Sequence, residues 1–225
     1  MRRFAFIIVL CSLFLHNQKT YSQLPSLSLS LGGGINLPQS DLKNSYGMTK
    51  MGYAYGGKFK LGLPVVPLNI VALGYYNSFT NETGYPIDFF LKKMTIITVG
   101  AGIEYVLIPA PIVRPYLGID ATMNLISGIQ RYPGPADQPL EKNLELANRI
   151  GMGIGLGLDF NFPLSPLAFD IEAKYRFANV VGKEYKSNTI TTYYLNDGKA
   201  PDNLTDQNRT LNYINIVIGL KFKAF

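Results

Sequence analysis

Apolar and polar residues alternate one for one in several stretches of this chain. In AFDIEAKYRFAN, residues 168–179, every second residue from Phe169 to Phe177 is apolar and the residues between them are charged. A period of two is typical of a β-strand whose two faces meet different surroundings. Eight segments are strand-like and none shows a sustained helical period, which predicts an all-β fold: 24–36, 50–62, 68–79, 93–107, 114–126, 148–162, 167–179 and 209–225.

The connections between these segments alternate in length and composition. Three are short and contain proline: 63–68, 108–115 and 162–167. Four are longer and polar: 37–49, 80–92, 127–147 and 180–208. Long strands joined in this rhythm are typical of an up-and-down barrel that crosses a bilayer. The pattern predicts an eight-stranded antiparallel up-and-down transmembrane β-barrel with long extracellular loops and short, proline-rich periplasmic turns.

The segment 149–162 indicates which face is inside. Its apolar residues, from Ile150 to Phe160, share one face, and the opposite face carries Arg149, Asp159 and four alternate glycines. Glycines on the solvent face of a soluble barrel would weaken the strand without gain. Inside an eight-stranded barrel they make room for long neighbouring side chains. The polar face is therefore expected to line the lumen, which would exclude lysine and arginine from the lipid.

The charged residues on the inner faces define a candidate luminal network in which unlike charges pair across the barrel and plug it. Its predicted members are Lys58, Lys60, Glu104, Asp120, Arg149, Asp159, Asp170, Glu172, Lys174 and Arg176.

Aromatic residues fall at two heights along the predicted strands, as expected for the girdles at the two interfaces of a bilayer. The outer girdle is predicted to contain Tyr53, Tyr75, Tyr175, Phe177 and Tyr213, and the periplasmic girdle Phe59, Tyr105, Phe160, Phe169 and Phe222.

The first residues have the layout of a secretory signal. Arg2 and Arg3 precede an apolar run of about 12 residues, shorter than the ~20 that a transmembrane helix needs, and Ser22 suits signal peptidase. We therefore expect residues 1–22 to be removed and 23–225 to form the barrel domain. The single cysteine, Cys11, and the single histidine, His16, both lie in the removed segment.

Composition restricts the chemistry of the processed chain. Removing the signal lowers the number of Lys and Arg from 21 to 18, against 15 Asp and Glu, a balance too even to indicate nucleic-acid binding. Without histidine or cysteine, neither a metal site of the usual kind nor a histidine-dependent lipid hydrolase is expected. No cofactor motif is found, and we expect a non-enzymatic protein; a barrel enzyme acting on lipids remains the least favoured alternative.

Three stretches give the chain a family resemblance: VRPYLGIDA (113–121), GMGIGLGLDFNFPLSPLAFDIEAKYRFANV (151–180) and INIVIGLKFKAF (214–225). With them it resembles the small outer-membrane β-barrels of Bacteroidota called PorT-like and, more distantly, barrels of the OmpX and OmpW kind. The resemblance implies residence in the outer membrane of a Gram-negative bacterium. It also implies a C-terminal aromatic signal read by the barrel-assembly machinery, for which Phe222 and Phe225 are the candidates.

Two functions stay open at this point. The first is a scaffold or accessory component of the cell envelope, with a role in protein secretion implied by the PorT-like resemblance. The second is a narrow, porin-like channel or transporter for small or apolar solutes. The expected partners are outer-membrane lipid and lipopolysaccharide, whose phosphates basic loop residues would contact, and envelope proteins bound through the loop 180–208.

Overall fold

The computed structural model describes residues 25–44, 46–64, 66–81, 90–132, 140–162, 164–182, 185–186, 193–194 and 209–224. Within these residues the elements in chain order are β1 (Ser26–Gln39), α1 (Ser40–Asn44), β2 (Gly52–Gly62), β3 (Leu68–Thr80), β4 (Phe90–Val106), β5 (Val113–Tyr132), β6 (Leu140–Asn143), β7 (Ala147–Asn161), β8 (Leu167–Val181), β9 (Tyr185–Lys186), β10 (Tyr193–Tyr194) and β11 (Asn212–Lys223).

The eight long strands form a closed antiparallel barrel. Each pairs with the next long strand along the chain, from β1 through β2, β3, β4, β5, β7 and β8 to β11. The circle closes where β1 pairs with β11, from Ser28 opposite Lys223 to Gln39 opposite Asn212. Closure leaves none of these long strands as an unpaired edge. The predicted eight-stranded up-and-down barrel is confirmed.

The barrel has two unlike ends. The proline-containing connections 63–67, 107–112 and 162–166 lie at one end together with both described chain ends, and we name it the turn end. The longer connections lie at the other, the loop end. Here the strands exceed their predicted bounds: β5 continues through Tyr132, and β6 pairs with its last residues. The prediction of 127–147 as a loop is therefore wrong in part, because alternation of inward and outward side chains continues through Gln130 and Arg131.

The polar face of the strands lines the lumen. Lys58 and Glu172 are each 2 % exposed, whereas Leu31 and Leu156, on the outer face, are 53 % and 59 % exposed. A soluble barrel would show the opposite distribution, since exposed apolar patches of this extent are rare on soluble proteins. The outer surface is that of a transmembrane barrel. In the described part of the chain, no helix has the length and apolar character needed to cross a membrane.

Two residues predicted for the outer girdle lie in the lumen instead. Tyr75 is 5 % exposed and Tyr213 1 % exposed. The prediction is wrong for both because they share the inner face of their strands with Asn77 and Asn215. The lumen near the loop end is lined by apolar side chains. An aromatic residue at this height can therefore point into the lumen as well as toward the lipid. Tyr53, Phe59 and other predicted girdle residues are exposed on the outer face.

The segment 1–22, predicted as a signal, lies outside the described residues, as do Phe225 and most of the loop 180–208.

The inner glycines give the most direct test of this inside-out arrangement. A Cβ at Gly157 would overlap the ring of Tyr116 and lie 2.8 Å from the carbonyl oxygen of Ile171, whereas a Cβ at Gly74, on the outer face, would meet nothing within 4 Å. We therefore expect Gly157→Leu to lower the free energy of unfolding by about 1–3 kcal/mol, since overpacking forces neighbours to shift.

The matched control, Gly74→Leu, is expected to leave stability unchanged or raised, because it adds apolar surface toward lipid. Urea unfolding in lipid vesicles measures both variants. Equal losses, or a larger loss for Gly74→Leu, would contradict the assignment of the two faces.

Candidate functional site

Lys58 is the centre of an ion-pair network in the lumen. Its Nζ lies 2.7 Å from Oδ2 of Asp170 and 2.7 Å from Oε2 of Glu172, both on β8 across the barrel. It also donates a 2.8 Å hydrogen bond to the hydroxyl of Tyr116, which in turn donates to Oε2 of Glu172 over 3.1 Å. One cation from β2 is thereby held by side chains from two strands that are not its neighbours.

One branch of the network runs toward the turn end. Nζ of Lys60 lies 2.7 Å from Oε2 of Glu104 and 3.2 Å from Oδ1 of Asp159. The other carboxylate oxygen of Asp159 lies 2.9 Å from Nζ of Lys221 on β11. Glu104 joins this branch to the centre, at 3.5 Å from Lys58.

The second branch runs toward the loop end. Nζ of Lys174 bridges Glu172, at 3.1 Å, and Asp120, at 2.9 Å. Asp120 also accepts a hydrogen bond from the guanidinium of Arg176. Lys174 and Arg176 alternate on β8, so both reach the same carboxylate on β5.

The charges in this network balance. Five cations and five carboxylates are connected, each side chain less than 10 % exposed: Lys58, Lys60, Lys174, Arg176, Lys221, Glu104, Asp120, Asp159, Asp170 and Glu172. A buried charge without a partner costs several kcal/mol, so balance is what makes so many ions tolerable in a narrow lumen.

The sequence prediction named nine of these side chains and placed a tenth, Arg149, with them. The structure places Arg149 on the inner face of β7, donating to the carbonyl oxygen of Asn148 over 3.1 Å. Sequence reasoning missed Lys221 and Tyr116. The signal was present, because Lys221 alternates with Leu220 and Phe222 just as Tyr116 alternates with Leu117.

A layer of amide side chains lies next to the charged network. The side-chain amide of Asn215 donates to Oδ1 of Asn36 over 2.7 Å, and that of Asn36 donates to Oδ1 of Asn77 over 3.2 Å. Asn77 continues the chain to the hydroxyl of Thr98, also over 3.2 Å. These bonds connect strands β11, β1, β3 and β4 across the middle of the lumen and satisfy buried polar groups there.

The loop end of the lumen is filled by a hydrophobic cluster, which we name the apolar plug. Its members come from the first connection and from six strands: Leu42, Tyr46, Met48, Phe79, Leu91, Met94, Ile96, Ile126, Ala147, Ala178, Leu211 and Tyr213. The helix α1 is fixed to the start of β11, because Oδ2 of Asp41 accepts hydrogen bonds from the backbone NH and the hydroxyl of Thr210, at 2.8 and 2.9 Å.

Together, the network, the amide layer and the plug line the lumen of the described barrel with packed or ion-paired side chains. Each carboxylate of the network contacts at least one cation. Among the described residues, no group of three or more His, Cys, Asp or Glu side chains could hold a metal ion. What the described side chains of the site do chemically is to neutralise one another's charges.

Phe222 lies on the outer face at the turn end and is 44 % exposed. It forms an edge of an apolar groove together with Phe59, Leu29 and Leu27.

The fold and the filled lumen define a class: a small transmembrane β-barrel of the outer-membrane kind. No family model matches the chain, and no curated protein matches it. Several solved structures share the fold, and two of them illustrate the likeness. Neisserial surface protein A is 14 % identical with a TM-score of 0.52, covering 88 % of this chain and 98 % of its own. A major outer membrane protein from Thermus thermophilus is 12 % identical with a TM-score of 0.54, at the same coverages.

Removing the central cation should disrupt the network. Lys58→Met leaves Asp170 and Glu172 with an uncompensated negative charge, and we expect the free energy of unfolding to fall by about 3–5 kcal/mol. The double variant Lys58→Met/Glu172→Leu restores the balance of charges and should recover a substantial part of that loss.

Urea unfolding in vesicles measures both, with Lys92→Met, at an exposed ion pair outside the lumen, as the control that should change little. If Lys58→Met were no more harmful than Lys92→Met, or if the second substitution added to the loss, the network would not be a stabilising unit.

Proposed function

We propose that this protein is a non-conducting, non-enzymatic barrel of the Gram-negative outer membrane that serves the cell envelope as a scaffold. The observation that carries the proposal is the filled lumen. A conduit for solutes needs a continuous path, and the charge-balanced network and the apolar plug occupy the two halves of that path in series. The neighbours in structure, among them a major outer membrane protein from Thermus thermophilus, support the proposed location.

The two halves would oppose different solutes. An ion that entered from the turn end would have to break pairs such as Lys60–Asp159 and replace their electrostatic attraction. Beyond them it would meet the apolar plug, where Leu42 and Phe79 are fully buried and offer no polar atoms to replace hydration water. For an apolar solute the two obstacles are exchanged. The apolar plug would admit it more readily, and the charged network would oppose it.

A scaffold acts through the parts of the barrel that reach beyond the bilayer. β5 has 20 residues, about twice what a tilted strand needs to cross, and β6 extends the sheet at the same end. The anchoring of α1 to Thr210 gives the loop end a fixed surface. The loop 180–208, whose length makes it the expected contact for envelope proteins, begins and ends at this same end of the barrel.

A role in protein secretion, which the PorT-like resemblance implies, is the more specific form of this proposal. Deleting the gene should then reduce export of a cargo protein, and crosslinking from residues in 180–208 should recover an envelope protein. A scaffold without a secretion role would leave export unchanged.

Single-channel recording in planar bilayers tests the proposal itself. We expect the purified wild-type barrel to insert without stable conductance steps, because neither ions nor water have a continuous path. A heat-modifiable band on a gel must show that the inserted protein is folded, and an open porin recorded in the same chamber serves as the positive control. Reproducible openings of the folded wild-type protein would favour the narrow channel instead.

A further inference from the structure

A cluster of cations lies on the outer face of the barrel at the loop end, where β4, β5 and β6 extend. Nζ of Lys92 lies 2.6 Å from Oε1 of Glu141, and the guanidinium of Arg131 lies 2.9 Å from the same oxygen. Lys93 pairs across the sheet with Ile129, which shares the outer face of β5 with Arg131. We name Lys92, Lys93, Arg131 and Glu141 the rim cluster; it carries three positive charges and one negative.

The shape of β4 explains why two consecutive lysines can act together. Successive residues of a regular strand point to opposite faces. A register shift between Leu91 and Lys93 interrupts that alternation, and Leu91 is fully buried in the plug. Lys92 therefore reaches Glu141 on the same outer face as Lys93, rather than pointing into the lumen.

Glu141 gathers the cations without neutralising them. Hydrogen bonds from Lys92 and then from Arg131 lower the pKa of Glu141, which favours its charged carboxylate form. Both cations contact the single oxygen Oε1, which brings them close together while leaving a surplus of two positive charges in the cluster. Arg131, as a guanidinium, is suited to pairing with a phosphate.

Below the rim cluster, aromatic and apolar side chains lie side by side on the outer face, because Tyr76 of β3 pairs with Ile97 of β4. Tyr76 stacks on Tyr55 with ring centroids 4.7 Å apart. Further along β4, Ile97 and Val99 are 40 % and 42 % exposed. The distance from Lys93 to Val99 is about 20 Å along the strand. A surface that is cationic at the rim and aromatic and apolar below it has the order of a lipid headgroup above its acyl chains.

The neighbouring hairpin lacks this order in its described part. At the same height β7 and β8 expose Ile150, Val180 and Val181, at 57 %, 46 % and 59 %. Among the described strands, the cationic surplus on the outer face at this end therefore lies on β4, β5 and β6, and not on β7 and β8.

We propose that the rim cluster binds the phosphate groups of a phosphorylated glycolipid in the outer leaflet, with the acyl chains lying along β4. The proposal rests on the membrane location given under Proposed function. A free phosphate ion would satisfy the cations alone and gain nothing from the apolar stripe beneath them. The lipid is therefore the occupant that uses the whole surface.

Native mass spectrometry of the detergent-solubilised full-length barrel tests this site. Lipid A with two phosphates, lipid A with its phosphates removed and inorganic phosphate are titrated in parallel. We expect the phosphorylated lipid to bind about tenfold or more tightly than the dephosphorylated one, with the difference shrinking as salt rises. Inorganic phosphate in excess should not displace it.

Three variants locate the binding. Lys92→Gln/Lys93→Gln should remove the preference for the phosphorylated lipid. Lys43→Gln/Lys50→Gln, which deletes the same charge from the first connection, should keep it. Glu141→Gln should strengthen binding severalfold, because it removes the one negative charge of the cluster and raises the surplus to three; a purely structural ion pair would not respond in that direction.

Equal affinity for the two lipids, equal effects of the two lysine pairs, or displacement by inorganic phosphate would each overturn the proposal. A heat-modifiability gel on the wild type and on each variant shows whether the barrel is folded. Loss of the folded band in the wild type would count against the membrane barrel itself, whereas a folded wild type without lipid preference would overturn only the lipid site.

Discussion

The structure depends on charge balance inside a narrow barrel. Every cation in the network is within ion-pairing distance of a carboxylate contributed by a different strand or, for Lys174, also by its own. This requires the strands to close into a circle, because Lys58 and Glu172 are separated by 114 residues yet lie across one lumen. It also requires small residues on the inner face, such as Gly157 beside Tyr116, so that long side chains can extend. Closure, the glycines and the ion pairs depend on one another.

At the loop end, apolar side chains rather than ion pairs occupy the lumen. There the inner positions are apolar, and the first connection folds back so that Leu42 and Met48 complete the plug. Polar amides form the boundary between the two regimes, at Asn36 and Asn215. Charged, amide and apolar side chains thus follow one another along the lumen from the turn end to the loop end.

Much of this fold was predictable because alternation is a local property. Eight segments, their approximate limits and the inner face of 149–162 follow from residue order alone. The glycines opposite Ile150 to Phe160 indicated which face of the strand lies inside the barrel. Partners across the lumen did not follow, since nothing local relates Lys58 to Asp170. The prediction for Tyr75 and Tyr213 is wrong because, near the plug, both faces of a strand are apolar or aromatic. Alternation of polarity then cannot tell the inner face from the outer face. The rim cluster depends on a register shift at Leu91 that has no signature in the sequence.

The central claim is that lipid contacts the apolar face of each strand while the charged face lies inside. Single cysteines on β7, introduced after Cys11→Ser, test it most directly, with a fluorescent label at each position and brominated lipids as quenchers. We expect strong quenching at Ile154→Cys, Leu156→Cys and Phe160→Cys, and weak quenching at Asn161→Cys, which lies on the inner face beside Phe160 at the turn end, in vesicles that hold the folded barrel. Uniform quenching, or the reverse alternation, would contradict the account.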